Sequence, residues 1–342
     1  MIKKIKGMLA LVLAATLILS GCGASSGSTK KAAVKNLVIA EPVHLIAYLP
    51  LYVAIDKGYF KQEGLNVKTI TATGGAHVTA VVSGDAWGVI GGPDSVQIVN
   101  AGKSKDPITS VVNVVNRANV YLMASTKTPY SGHSNADLKK FLKGKSIAAG
   151  RYGGSPNLLT RYLLLKLGLN PNKDVTLDEP ADATAVVSLV QQGKDQIANG
   201  GEPQINDGIK RGVWGEPFYG FPSMGDYAYS VVSVKESTIK NDPKTVQKFV
   251  AAMIKALRLV NNDKKAAFAV LQKEFPTTPD ASLEAAMDRA YKDKLWSEDG
   301  YITRSAVAKP LDVVKKTGIY TKGYSYKKLV DMKFVDKVLD QK

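Results

Sequence analysis

Apolar and polar positions change their period several times along the chain. Leu37-Val38-Ile39-Ala40 is a short apolar run, which predicts a buried strand. Pro50-Leu51-Tyr52-Val53-Ala54-Ile55-Asp56-Lys57 predicts a helix. Pro50 suits its first turn, where a missing N–H is harmless, and Gly58 suits its stop. Leu65-Asn66-Val67-Lys68-Thr69-Ile70 alternates apolar with polar, as a half-buried strand does. A run from Ala76 to Ser83 fits a helix, Gly84-Asp85 turns the chain, and Ala86 to Ile90 reads as another buried strand. The succession is β-α-β-α-β, so an α/β fold is expected, with a parallel sheet covered by helices.

The pattern then returns. Ser146-Ile147-Ala148-Ala149 predicts a strand and Leu158 to Leu167 a helix stopped by Gly168. Asp174-Val175-Thr176-Leu177 predicts a strand and Ala183 to Gln192 a helix. Two stretches carry the repeat most clearly, VVSGDAWGVIGGP from Val81 and VQQGKDQIANGGEP from Val190. In each, a helix ends at a glycine (Gly84, Gly193). A Gly-Gly pair follows at the same offset (Gly91-Gly92, Gly200-Gly201), with a proline close behind.

After Gly220 the chain changes character. Tyr227 to Val234 predicts a strand with no further copy of the repeat. Val246, Phe249, Val250, Met253, Ile254, Leu257 and Val260 fall at helical spacing, with Asp242 as the expected N-cap. Further helices are expected over 264–274, 281–292, 305–317 and 326–339, with their Met, Phe and Leu side chains in the core. The predicted architecture is two-lobed. Residues 36–124 and 228–342 make lobe 1, and 125–227 make lobe 2. Linkers are expected near Ser125 to Thr128 and Phe221 to Tyr227. Open α/β sheets bind ligands beyond the carboxyl ends of their strands. Two facing sheets would therefore form a cleft, with the linkers as hinge.

The N-terminus has its own pattern. Lys3, Lys4 and Lys6 precede an apolar stretch, Met8 to Leu19, that is shorter than the roughly 20 residues needed to span a bilayer. This reads as a signal peptide over residues 1–21. Leu19-Ser20-Gly21-Cys22 resembles the lipobox of bacterial lipoproteins, in which the cysteine takes a diacylglyceryl group and becomes the first residue. Cys22 is the chain's only cysteine, so no internal disulfide is available. Residues 22–35 begin with a Gly/Ser/Ala run of little burying capacity and read as a flexible tether. An anchored protein outside the cytoplasmic membrane follows, on the surface of a Gram-positive-type cell or in a periplasm.

Charge adds less. The net charge is +16, and +13 without the three N-terminal lysines. The lysines are spread along helices, and no nucleic-acid signature accompanies them. Attraction to an anionic envelope or steering of anionic ligands explains them more simply.

Three segments bear a family resemblance. PLYVAIDKGYFKQEGLNV from Pro50 resembles a segment that marks solute-binding proteins for nitrate, sulfonates, taurine and the thiamine pyrimidine precursor. GKSIAAGRYGGSPNLLTRYLLLKLGLNPNKDV from Gly144 resembles the start of their second lobe, and Gly200-Gly201-Glu202-Pro203 a later cleft loop. The resemblance implies the type II periplasmic-binding-protein fold. It also implies capture of a small solute for delivery to an ABC permease with its ATPase, a monomer, hinge closure around the ligand, and no cofactor.

The expected cleft loops supply the candidate residues. Glu41 to Leu49 carries His44 and Tyr48. Thr73 to His77 carries Gly75 and His77. Gly91 to Ser95 carries Asp94 and Ser95, and Arg151 to Asn157 carries Tyr152, Gly154 and Ser155. Glu202 is the last. Glycine turns that open helices expose free N–H groups, which favour an anion such as a sulfonate, carboxylate or nitrate. Ser155 would add a hydroxyl. Asp94 and Glu202 point instead to an amine or ring N–H, or else to plain caps and surface acids. Tyr48 and Tyr152 could stack on a ring or close over a small solute. His44, His77 and His133 share no metal-ligand spacing, so no metal is expected.

Enzyme readings find little support. Gly144-Lys145-Ser146 lacks the earlier glycine of a P-loop, because position 139 is Lys139. Gly132-His133-Ser134-Asn135-Ala136 misses GxSxG and has no strand before it. The thiamine-pyrimidine synthase branch of the same fold carries a cysteine motif that has no counterpart here. A sensory surface lipoprotein of identical fold remains the other reading.

Overall fold

The computed structural model describes residues 34–102, 104–182 and 184–340. The expected signal peptide, Cys22 and most of the tether lie outside the described residues. The last tether position, Lys35, instead opens the first strand and pairs with Leu65.

Two five-stranded sheets organise the body. The first contains β1 (Lys35–Glu41), β2 (Leu65–Thr71), β3 (Gly88–Gly91), β4 (Ile108–Val115) and β10 (Ser230–Lys235), in the order β2-β1-β3-β10-β4. The second contains β5 (Tyr121–Ala124), β6 (Ser146–Ala148), β7 (Thr176–Asp178), β8 (Ile197–Gly200) and β9 (Tyr219–Gly220), in the order β7-β6-β8-β5-β9. The orders correspond strand for strand. β1 lies parallel between β2 and β3, and β6 lies parallel between β7 and β8. In each sheet, the next neighbour is antiparallel and is the strand that enters from the other lobe, β10 or β5. The repeat read in the sequence is therefore a repeat of topology. Gly84 and Gly193 end equivalent helices with φ of +94° and +75°, which glycine adopts without the Cβ penalty.

One boundary moves. Tyr121–Ala124 pairs with β8 and β9, so residues 121–124 belong to the second sheet and not to lobe 1. The first crossover is Asn116 to Val120, not Ser125 to Thr128. The second runs from Phe221 to Tyr229. The two crossovers lie side by side, with Tyr227 N–H donating to Asn116 O (3.1 Å) and Phe221 N–H to Val120 O (3.0 Å). A short apolar strand such as Tyr-Leu-Met-Ala has no periodicity that says which sheet it joins; its partners decide.

Burial follows strand alternation in the second sheet. Ile147 and Ile197 face the main core with Leu142, Leu158 and Leu159. Their neighbours Ala148 and Ala198 face a separate cluster with Val186, Val187, Val190, Ile205 and Trp214. The first sheet is closed by the helix Pro243–Asn262, whose seven predicted apolar residues are all fully buried. Asp242 caps that helix as expected, accepting from Thr245 N–H at 3.3 Å. The expected helix over 326–339 is instead two short ones, Tyr326–Leu329 and Lys333–Leu339. Val330 between them bridges to Ser110 of β4, and a residue held extended by a strand cannot continue a helix.

Candidate ligand-binding cleft

The carboxyl ends of β1, β3, β6 and β8 converge on one enclosed space. It has a volume of about 150 Å3, comparable to cavities that hold one benzene-sized molecule. Pro42, Val43, Leu45 and Tyr48 form one wall after β1, and Thr73 to Gly75 with His77 form the next. Gly91, Gly92 and Ser95 follow β3. The second lobe contributes Arg151, Gly154, Ser155 and Pro156 after β6, and Asn199 to Gly201 with Gln204 after β8. Asn119 and Tyr229 of the crossovers, with Ser230 at the start of β10, close the back.

Three helices start at this space: Ala76–Ser83, Pro93–Ala101 and Ser155–Lys166. Their N-caps are Gly75, Gly92 and Gly154, and none receives a side-chain cap. Their first amides and positive dipole ends therefore face the cavity or its edge. Arg151 adds a full positive charge. Its Nη1 donates to Tyr152 O at 3.1 Å, and no ion pair engages it among the described residues. A Cβ placed on Gly75 would lie 3.9 Å from Arg151 Nη1, so the guanidinium of one lobe faces a helix start of the other. His77 is buried beside it. Burial, and then the Arg151 charge, lower its pKa to about 4, so it is neutral near pH 7. Burial pushes the Tyr48 phenol up, keeping its hydroxyl a neutral donor.

Six of the ten residues expected in the cleft line it: Tyr48, Gly75, His77, Ser95, Gly154 and Ser155. The other four do not. His44 turns away from the cavity into an ionic cluster. Its Nδ1 is 2.9 Å from Glu41 Oε1 and its Nε2 is 3.4 Å from Glu274 Oε1, while Tyr52 OH donates to Glu41 Oε2 at 2.8 Å. Burial opposes a charge on His44. The hydrogen bond to Glu41 and the charges of Glu41 and Glu274 outweigh it and raise the pKa. Tyr152 is 55 % exposed, with the Arg161 guanidinium 5.1 Å from its ring centre.

Asp94 is buried behind the wall. Its carboxylate folds back over Gly92, where a Cβ would sit 1.9 Å from Oδ1. Ser155 Oγ donates to its Oδ2 across the cleft at 3.4 Å. Glu202 points out of the cavity altogether. It accepts from Asn206 Nδ2 (2.9 Å) and Arg289 Nε (3.1 Å). Glu202 thus serves protein partners outside the cavity, whereas Asp94 is met by Ser155 through Oδ2 and its Oδ1 has no hydrogen-bond partner among the described residues.

Arg151 lies in a predicted loop, yet only the fold reveals that it forms no ion pair among the described residues. Asn119 and Tyr229 reach the cavity from the crossovers, at positions the sequence pattern does not mark. Gln204 directly follows Gly200-Gly201-Glu202-Pro203, a signal that could have marked it.

A family model described as the NMT1-like family matches residues 42–272. The chain belongs to the NMT1-like family. A Bacillus subtilis (strain 168) protein named "Putative binding protein YtlA" is 29% identical over 307 residues, covering 89% of this chain and 90% of that one. Among solved structures, the periplasmic nitrate-binding protein NrtA from Synechocystis PCC 6803 superimposes with a TM-score of 0.74 at 16% identity, covering 90% of this chain and 89% of that one. The alkanesulfonate-binding protein SsuA from Xanthomonas axonopodis pv. citri, bound to MOPS, gives 0.69 at 16% identity, covering 88% and 99%. The fold of the NMT1-like chain is therefore that of periplasmic binding proteins, as the sequence resemblance implied. These relatives are named as binding proteins, not as enzymes.

Proposed function

We propose that this protein is the solute-binding component of an ABC importer, and that its cleft takes a small organic or inorganic anion of the sulfonate, taurine or nitrate type. One observation carries the anion. Arg151 forms no ion pair among the described residues and faces the uncapped start of the helix Ala76–Ser83 across the cleft. Charge-assisted bonds from such a guanidinium, with helix amides beside it, are the usual means of holding an oxyanion. The nitrate and alkanesulfonate ligands named for NrtA and SsuA support the same class. A ring compound such as a thiamine pyrimidine precursor is the second reading, favoured by Tyr48 and Tyr229 on the wall. Capture would bridge the lobes and stabilise their closed arrangement, which a permease then recognises. Cys22 would carry the lipid that keeps the monomeric receptor at the outer face of the membrane.

Thermal unfolding of the body from Val34 onward, against nitrate, taurine, alkanesulfonates, pyrimidine precursors and neutral sugars, tests the ligand class. A ligand at 100 times its Kd adds about 2.7 kcal/mol of stability. A shift confined to the anions supports the reading; shifts with neutral sugars alone would overturn it. Release of a Cys22→Ala variant from cells tests the anchor.

A further inference from the structure

We infer that Arg289, on the C-terminal helix Asp280–Lys292, is a positioning residue for the ligand-facing loop Asn199–Gln204 of the second lobe. The inference rests on the solute-binding reading of the cleft for its functional meaning, but its geometry stands apart from it.

The loop has two faces. Gly201 and Gln204 line the cavity, while Glu202 between them turns outward and is buried. A buried carboxylate needs a counter-charge, and Arg289 is the one it has. Arg289 Nε donates to Glu202 Oε1 at 3.1 Å, and Arg289 Nη1 donates to Glu216 Oε2 at 2.9 Å. The guanidinium thus ties the loop to the segment before β9. Its carbon lies 5.8 Å from the ring centre of Tyr121, whose hydroxyl donates to Asp293 of the same C-terminal stretch. Asn206 completes the anchorage, bonding Glu202 through its backbone and side chain and reaching Ser282 O at 3.0 Å. The sequence placed this helix wholly with lobe 1, yet its polar face serves lobe 2.

Removing Arg289 leaves Glu202 either charged and unpaired in a buried position or displaced toward water. Displacement carries Gly201 and Gln204 with it. The fold itself should survive, because Trp214 Nε1 donates to Ile205 O at 2.9 Å and β8 keeps its pairing with β5. The ionisable groups around Glu202 are Arg289 and Asp293 on the tail, Glu216 before β9 and Tyr121 on β5. Asp288 and Lys292 lie on the adjoining surface. With Arg289 gone, a protonated Glu202 needs no counter-charge, so the damage should be larger at high pH than at low pH.

The test compares wild type with Arg289→Gln, Arg289→Lys and the double variant Arg289→Gln/Glu202→Gln, all in the full chain. Amide hydrogen exchange is read without ligand, and ethanesulfonate affinity is read at pH 5.5 and 8.5. In Arg289→Gln, exchange over 201–206 is expected to rise at least tenfold while the Pro243–Asn262 helix is unchanged. Its Kd should rise at least tenfold at pH 8.5 and by less at pH 5.5. Arg289→Lys should recover part of both losses, and the double variant should lose the pH dependence. Unchanged exchange over 201–206 would overturn the inference, as would faster exchange with the same Kd at both pH values. Should ethanesulfonate not bind wild type, the sulfonate reading of the cleft fails on its own, and the exchange result alone decides the positioning role.

Discussion

Ser155 Oγ of the second lobe donates to Asp94 Oδ2 of the first across 3.4 Å of cleft. Burial raises the Asp94 pKa; the N–H groups of Ser95 and Asp94, the Ser155 hydroxyl and the Arg151 charge oppose the rise. Tyr227 and Tyr229 lie on the same side and are held neutral by burial. Where closure buries Asp94 and so raises its pKa, the carboxyl takes up a proton as the lobes close. Closure is then favoured at low pH and weakens as pH rises through the raised value. Ethanesulfonate affinity is expected to fall as pH rises above the ordinary carboxylate range in wild type, and to fall less in Asp94→Asn. Equal slopes in the two proteins, measured by calorimetry, would count against this linkage.

Arg151 contributes charge to the cleft and little to the fold. Arg151→Gln should weaken anion binding by about 1.5–3 kcal/mol, roughly ten- to a hundredfold, as expected for a lost hydrogen bond to a charged group. Its only hydrogen-bond acceptor among the described residues is Tyr152 O, so ligand-free stability should change by less than about 0.5 kcal/mol. Paired titrations and unfolding curves separate the two effects.

Gly92 and Gly153 answer substitution differently. A Cβ at Gly92 collides with the Asp94 carboxylate, so Gly92→Ala must displace Asp94 from its place against Ser155. A cost of about 1–3 kcal/mol is expected, with weaker ligand binding. At Gly153 nothing lies within 4 Å, but φ is +75°. Gly153→Ala should therefore cost only the left-handed backbone penalty, about 1–2 kcal/mol. Denaturant melts of both variants, with ligand titrations alongside, check the contrast.

His44 should make ligand-free stability depend on pH. Its pKa is raised above the ordinary 6.5. The stability its charged form contributes is complete below about 6.5 and is lost as pH rises through the higher folded value. The raised Glu274 pKa acts in the same direction. His44→Ala should flatten this decline. It should also destabilise by about 1–3 kcal/mol, because the buried Glu41 loses a partner and, among the described residues, keeps Tyr52 and Thr71. Thermal melts across pH 5.5 to 8.5 provide the measurement.

Local signals made much of the fold legible in the sequence. Strand alternation, the apolar stripe of Pro243–Asn262, the Asp242 cap and the glycine stops at Gly84 and Gly193 each act over a few residues. The repeated Gly-Gly turns, set seven residues after those stops, marked two equivalent sheet edges. The loops beyond them do build the cleft. Each signal reflects a backbone or periodicity requirement that neighbouring residues satisfy by themselves.

Other features needed partners distant in sequence. Tyr121–Ala124 could have joined either sheet, and only its ladders with β8 and β9 assign it to the second. Asp94 and Glu202 occupy matching loops and looked like ligand groups. One folds over Gly92 toward Ser155, and the other is claimed by Arg289, 87 positions later. Arg151 was one cation among 46 Lys and Arg residues until the fold left it at the cleft without an ion pair among the described residues. The sequence by itself determined the elements, their repetition and the loops that face the ligand. Tertiary structure decided which charged groups in those loops are satisfied by the protein and which are left for a ligand, because a charge's partners are set by proximity in space and not along the chain.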